Sequence, residues 1–278
     1  MPEKKNKARV AAALAVMFLL VPAVAVRGQN TSPGSGGDRL GGEALGKFFL
    51  DAGETLTAPL HWDGGDLLAV GVLAATTFAL FAHDDAIARW IRKFEPPKTA
   101  DQITAQLGNG YFLFAFDAAL YLVGAAFDSA SFRTTALVGM ESFLTASAIA
   151  LVLKGIVGRA RPSARETAAS FHPFSLQNRH ASFPSGDAAG VFAVGTVIAE
   201  RSDSIAVEIL TYVLAGLCAL NRVHDDQHWV SDIVVGSAIG FFVGKKISAL
   251  NLGRGERPVR LALGPARTGL GLTVDFVF

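Results

Sequence analysis

Residues 182–199 read SFPSGDAAGVFAVGTVIA. A Pro-Ser-Gly turn opens an apolar run twelve residues long, Ala188–Ala199. Ser185 is placed to cap a helix, because its hydroxyl can accept from the first-turn amides. The free amides at such a start also suit a bound anion. Asp187 then puts a carboxylate in the first turn. That suits the helix dipole but opposes an anionic ligand.

Outward from this stretch the chain repeats the pattern. Apolar runs separated by short polar loops cover Leu67–Ala82, Tyr111–Phe127, Thr134–Leu153, Ala188–Ala199, Ile205–Leu220 and Ile233–Val243. Ala, Leu, Gly and Phe dominate, and the turn signals are helix-lengths apart. The reading is an all-α bundle of six buried helices. A spanning helix needs about 20 apolar residues, and runs of about 10–14 are more often buried core helices. The fourth and sixth runs fall in that shorter class, and Asp117, Glu141 and Glu208 interrupt three of the others. Charges inside a bilayer are costly. The expectation is therefore a compact exported helical domain, or one with only some spanning helices, associated with a membrane.

Composition agrees. The chain has 278 residues, 51% of them hydrophobic, and a mean hydropathy of +0.38. A net charge of +1 gives no basic surface for nucleic acid. Cys218 is the single cysteine, so neither an intramolecular disulfide nor a zinc-type cysteine cluster is possible. Lys4, Lys5, Lys7 and Arg9 precede an apolar stretch from Val10 to Val21, with Ala23-Val24-Ala25 at cleavage spacing. Residues 1–25 thus read as a secretory signal, with an uncleaved membrane anchor as the alternative, placing the protein in the periplasm or cell envelope or in the membrane itself. Residues 26–64 read as a Gly/Ser-rich linker and N-terminal segment, and 65–250 as the helical domain. In the tail, 251–278, Leu270, Leu272, Val274, Phe276 and Phe278 alternate with Gly271, Thr273 and Asp275. Period two predicts a strand, and GPARTG at 264–269 a hairpin turn.

Three polar clusters break the apolar pattern. The first carries Lys154, Arg159, Arg161 and Arg165; the second is Pro184-Ser185-Gly186-Asp187; the third carries Arg222, His224, His228 and Asp232. Alone, each has a bland reading: a cationic flank, a helix cap, a solvated loop. An up-and-down helix order, however, places all three at one end of the bundle. That end gathers Lys154, Arg161 and Arg222 around the helix start at Ser185-Gly186, which is what a phosphate needs. His228 and Asp232, four apart, are expected to share a helix face, with Asp232 orienting the ring so that the second nitrogen is free to attack. His224, His228 and Asp232 at i, i+4, i+8 leave a metal-binding face, and hence a metallohydrolase, as an alternative.

This pattern resembles the type 2 phosphatidic acid phosphatases (PAP2), which share a fold with bacterial nonspecific acid phosphatases and vanadium haloperoxidases. Their signature is K-x6-R-P, then P-S-G-H, then S-R-x5-H-x3-D. The chain supplies Lys154-x6-Arg161-Pro162, Pro184-Ser185-Gly186 with Asp187 in the histidine position, and Arg222-x5-His228-x3-Asp232 with Asn221 in the serine position. The resemblance implies a helical bundle of that type and a phosphatase that uses no metal or other cofactor. By it, Lys154, Arg161, Arg222, Ser185 and Gly186 hold the phosphoryl oxygens, His228 attacks phosphorus, and Asp232 orients His228. The family histidine protonates the leaving group; here the proton falls to Asp187, or to His180 or His224. An aspartate rarely holds a proton at neutral pH, so weak turnover there is expected. The implied substrates are a lipid phosphate (phosphatidic acid, phosphatidylglycerophosphate or an isoprenoid pyrophosphate) or a small phosphomonoester. Two alternatives stand beside this. A headgroup-binding protein with impaired catalysis would explain Asp187, and haloperoxidase chemistry would need vanadate in the same cradle.

Overall fold

A computed structural model describes residues 39–252, 259–266 and 269–276. The expected leader over 1–25 and residues 26–38 after it lie outside the described residues. Among the described residues there are nine α-helices rather than six. They are α1 (Gly42–Thr57), α2 (Gly64–Phe81), α3 (Asp84–Ile91), α4 (Lys98–Leu107), α5 (Gly110–Ala126), α6 (Ala130–Val157), α7 (Gly186–Arg201), α8 (Ile205–His224) and α9 (Val230–Leu252). Each of the six apolar runs became a helix. The three additional helices, α1, α3 and α4, are amphipathic or short and carry no continuous apolar run. In the tail, β1 (Val259–Ala266) pairs antiparallel with β2 (Gly269–Phe276), Val259 opposite Phe276 and Ala266 opposite Gly269.

Local chemistry sets the helix ends. Asp63 accepts from Gly65 and Asp66 amides while Asp66 accepts from the Asp63 amide, a reciprocal capping box at the start of α2. Asn109 caps α5 and Ser185 caps α7. Gly158 ends α6 at φ 61°. A Cβ there would lie 1.8 Å from the His172 carbonyl oxygen, so only glycine fits.

Helix α7 is the centre of the bundle. Twelve of its sixteen residues are buried, among α6, α8 and α9. Its closest neighbour is α9, which presents Gly236, Gly240 and Gly244 at four-residue spacing. A Cβ on Gly236 would sit 2.3 Å from the Ser185 carbonyl oxygen, and one on Gly240 would sit 2.2 Å from that of Ala189. The backbones thus touch, as small residues at helix interfaces allow.

Much of the surface of the long helices is apolar. Four helices, Gly64–Phe81, Ala130–Val157, Ile205–His224 and Val230–Asn251, are long and apolar enough to cross a membrane. The pair α4 and α5, bent by 70°, passes the same test as a unit. Helix α8 exposes Ile205, Ile209, Leu210, Val213, Leu217 and Leu220, and α2 has no buried residue. Water would make such faces costly, whereas lipid does not. This is an integral membrane protein, which agrees with the expectation of a domain with some spanning helices rather than with that of a compact domain without them. The sixth run extends to a full span as α9, because lysines 245 and 246 are reached only after its apolar core. The fourth remains a short helix, walled in by its neighbours. Asp117 and Glu141 lie inside the bundle and are buried, which answers the objection for two of the three charges, while Glu208 stands in the first turn of α8, at the end of its span.

The α7–α9 contact has a direct test. Gly240→Val should cost about 3 kcal/mol or more, the scale of overpacking at backbone contact, seen as a lowered thermal midpoint in detergent. Gly71→Ala, where a Cβ meets nothing within 4 Å, should leave it unchanged.

Candidate active site

The three polar clusters meet at the end of the bundle where α6 stops, α7 starts, α8 stops and α9 starts. Beyond Gly158 the chain is extended. Ala160 donates to the Ser170 carbonyl and His172 to that of Gly158, while Arg161 donates to the Arg179 carbonyl and Ser182 to that of Arg159. The segment 158–161 is thus held on both sides by the loop that follows it. That loop returns to Ser182 and delivers Ser185 to the head of α7.

Ser185 is fully buried. Its amide donates to the Asp232 carbonyl at 3.0 Å, and its hydroxyl accepts from Ala188 at 3.2 Å. Gly186 leaves its Cβ position open toward Lys154, whose Cε would be 3.5 Å away. Lys154 spends one N–H on the Ala181 carbonyl at 2.6 Å. Arg161 donates to Gln227 and, at 3.0 Å, to Asn178. Arg222 donates to Asn221 at 2.6 Å and to the Ala105 carbonyl at 3.3 Å. In both arginines Nε is buried without a hydrogen-bond partner. Two unspent guanidinium donors beside a helix N-terminus are unusual in a finished core and fit a site built to receive acceptors.

His228 is 2% exposed. Its Nδ1 lies 2.6 Å from the Ser182 carbonyl oxygen. A carbonyl can only accept, so Nδ1 carries the hydrogen and the Nε2 lone pair is bare. Burial pulls the ring's pKa below its ordinary value, and the charges of Lys154 and Arg161 act in the same direction, against Asp232. The neutral ring therefore persists into mildly acidic pH. The sharing of a helix face with Asp232 is corrected here. Helix α9 begins at Val230, so His228 sits in the turn before it, and Asp232 Oδ2 is 3.8 Å from Nδ1. Asp232 acts through the loop instead. It accepts from Ser182 Oγ at 2.5 Å and from the Trp229 amide at 2.9 Å.

The other oxygen of Asp232 accepts from Arg159 at 2.5 Å. Arg159, 1% exposed, also donates to Ser231 and Asp84, each at 2.8 Å, and its guanidinium lies over the Phe81 ring, 4.8 Å from the centroid. Asp84 in turn accepts from the amide and hydroxyl of Ser231. This support was not legible in the sequence. Arg159 stood in the first cluster without a role, and nothing local links Asp84 to Ser231, 147 positions away.

Asp187 is in the first turn of α7, partly exposed, with its nearest ionic partner Arg222 Nη1 at 3.8 Å. His224 ends α8 beside Asp101 and Asp225, and His180 faces Glu166 and Ser175. The metal face of His224, His228 and Asp232 does not form. The break between α8 and α9 turns His228 toward Ser182 and leaves His224 with Asp101 and Asp225.

The profile of the PAP2 superfamily matches residues 136–254. Residues 136–254 are thus similar to the PAP2 superfamily. They carry all three clusters. The chain is 33% identical over 66 residues to a lipid A 1-phosphatase from Porphyromonas gingivalis, a stretch covering 23% of this chain and 15% of that protein. In fold it is similar to a transmembrane PAP2-type phosphatidylglycerolphosphate phosphatase from Bacillus subtilis. That likeness has a TM-score of 0.51 and 22% identity, covering 66% of this chain and 95% of that one. It is also similar to LpxE from Aquifex aeolicus, with a TM-score of 0.43 and 21% identity, covering 62% and 95% of the two chains.

Removing the guanidinium of Arg159 would leave Asp84 and Asp232 buried and unpaired. Arg159→Met is expected to cost about 3–5 kcal/mol, read as a lower thermal midpoint. The double variant Asp84→Asn, Arg159→Met should recover part of that loss.

Proposed function

We propose that the protein is a lipid phosphatase that works without a catalytic metal, through a phosphohistidine on His228. The observation that carries this is the hydrogen bond from Nδ1 to Ser182, which leaves Nε2 bare at a place ringed by Lys154, Arg161 and Arg222. A pocket that only bound phosphate would gain nothing from a nucleophile so oriented.

In the proposed reaction Nε2 bonds to phosphorus as the bond to the leaving oxygen breaks. The phosphoryl oxygens lie among Lys154, Arg161, Arg222 and the Ser185-Gly186 turn, which supply the charge stabilisation that a metal gives elsewhere. Protonated Asp187 gives its proton to the leaving oxygen. As carboxylate it then takes one from water, which attacks phosphorus and breaks the P–N bond, returning neutral His228 and inorganic phosphate. Asp232 holds Ser182, and through it the ring.

A lipid substrate is supported by the membrane-spanning surface and by an apolar cleft of about 460 Å³ that Arg159 and Ser231 of the supporting network help to line. Val70, Leu73 and Phe78 of α2, Phe183, Val235, Arg159 and Ser231 are among its lining residues. Phosphate release should be measured from phosphatidic acid, phosphatidylglycerophosphate, an isoprenoid pyrophosphate, lipid A and a soluble monoester. Release from at least one lipid, reduced about a thousandfold in His228→Ala, is the expected result. Equal rates in the two proteins would refute the mechanism.

The pH profile tests Asp187. A carboxyl that serves as general acid must carry its proton when substrate binds, which acidic pH favours. Burial lowers the pKa of His228, so acid protonates it less readily than a free imidazole. Wild type should therefore peak at acidic pH. Asp187→His should raise the rate at pH 7 by roughly tenfold or more, and Asp187→Asn should lose the acidic optimum. If Asp187→Asn matches wild type at every pH, Asp187 is only a helix cap.

A further inference from the structure

The loop between α6 and α7 carries a second cluster that the phosphatase chemistry does not use. His172 Nε2 lies 2.7 Å from Glu166 Oε2, and His180 Nε2 lies 3.5 Å from Glu166 Oε1. The two imidazoles stack at 3.8 Å with 16° between their planes. One donor atom from each of the three residues lies within 4.8 Å of the others.

The state of His180 is the informative part. The residue is 4% exposed. Its Nδ1 is engaged by Ser175 Oγ at 2.8 Å, and Nε2 is buried without a hydrogen-bond partner. A histidine fixed through one nitrogen, with the other facing a carboxylate beside a stacked second imidazole, is arranged as metal-binding histidines are. Two imidazole nitrogens and one carboxylate form a donor set that suits zinc and similar divalent ions, with a fourth position left for water. Tetrahedral bonds near 2.1 Å set donor atoms about 3.4 Å apart, so the Glu166–His172 pair must open and the widest pair close, each by about an ångström. Glu166 and His172 are partly exposed and free to do so.

We infer that Glu166, His172 and His180 form a binding site for a divalent transition-metal ion of the zinc class, which staples the loop over the phosphate cradle. Such an ion ties together three separate parts of that loop. Glu166 follows the turn after Arg161-Pro162. His172 is held to Gly158 at the end of α6 by a 2.7 Å backbone hydrogen bond. His180 stands two residues before Ser182, whose carbonyl orients His228. The ion is structural: none of its three ligands belongs to the phosphate cradle, and the inference does not rest on the phosphatase reading.

The test uses the full chain without an affinity tag, stripped with chelator in detergent. Co²⁺ absorption and Zn²⁺ competition measure affinity and stoichiometry, and the thermal midpoint is recorded with and without Zn²⁺. One ion per chain is expected, with a midpoint that rises by several degrees as the free ion increases. Glu166→Gln and His172→Ala, both at partly exposed positions, should each weaken binding about tenfold or more and abolish the thermal shift. His61→Ala, at an exposed histidine of another loop, should change neither. Absence of saturable binding by the wild-type chain overturns the site. So does binding that is undiminished in Glu166→Gln and His172→Ala. Phosphate release enters neither readout, so the outcome is independent of whether the protein is a phosphatase.

Discussion

The hydrogen bond from His228 Nδ1 to the Ser182 carbonyl, 2.6 Å long, joins the two loops on which the site is built. One loop descends from α6 and carries Arg161; the other connects α8 to α9 and follows Arg222. Neither has a helix to fix its path at the point of contact. The bond fixes their separation and, because a carbonyl only accepts, also the tautomer of the ring. Orientation, protonation state and position of the bare nitrogen all follow from one contact.

That contact is held by buried charge. Asp232 and Asp84 are both fully buried carboxylates, and Arg159 lies between them. Ionised groups so deep in a protein are tolerated only when paired and hydrogen-bonded. Here the pairing is nearly complete, since Ser182, Trp229 and Ser231 take the remaining acceptor positions. The network adds little net stability compared with an apolar core of the same shape. What it contributes is place, since Ser182 cannot shift without stranding a carboxylate. The glycine contact between α7 and α9 serves the same end, because it lets the Asp232 carbonyl reach the Ser185 amide.

Much of this was legible in the sequence, and the exceptions have physical causes. Six helices announced themselves through continuous apolar runs. Helices α1, α3 and α4 did not, because GEALGKFFLDAGETLT and KTADQITAQL spread their apolar residues among charges and glycines. The grouping of Lys154, Arg161, Ser185, Arg222 and His228 followed from spacing and from alternating helix direction. The relation of His228 to Asp232 did not. Spacing of four implies a shared helix face only if the helix already exists, and α9 starts two residues too late. Arg159 was visible as a charge and invisible as a support, because its partners lie 75 and 73 positions away. The span of α9 was underestimated because its apolar run was counted up to Val243, whereas the helix continues through two lysines to Leu252.

The reading of the site turns on one atom, the unprotonated Nε2 of His228. Brief reaction with a substrate labelled in its phosphoryl group, quenched in denaturant at alkaline pH, reports on that atom directly. The account predicts label on the protein, labile to acid, mapping to His228 and missing from His228→Ala. Acid-stable label on a serine, or turnover with no label on the protein at any quench time, would contradict it.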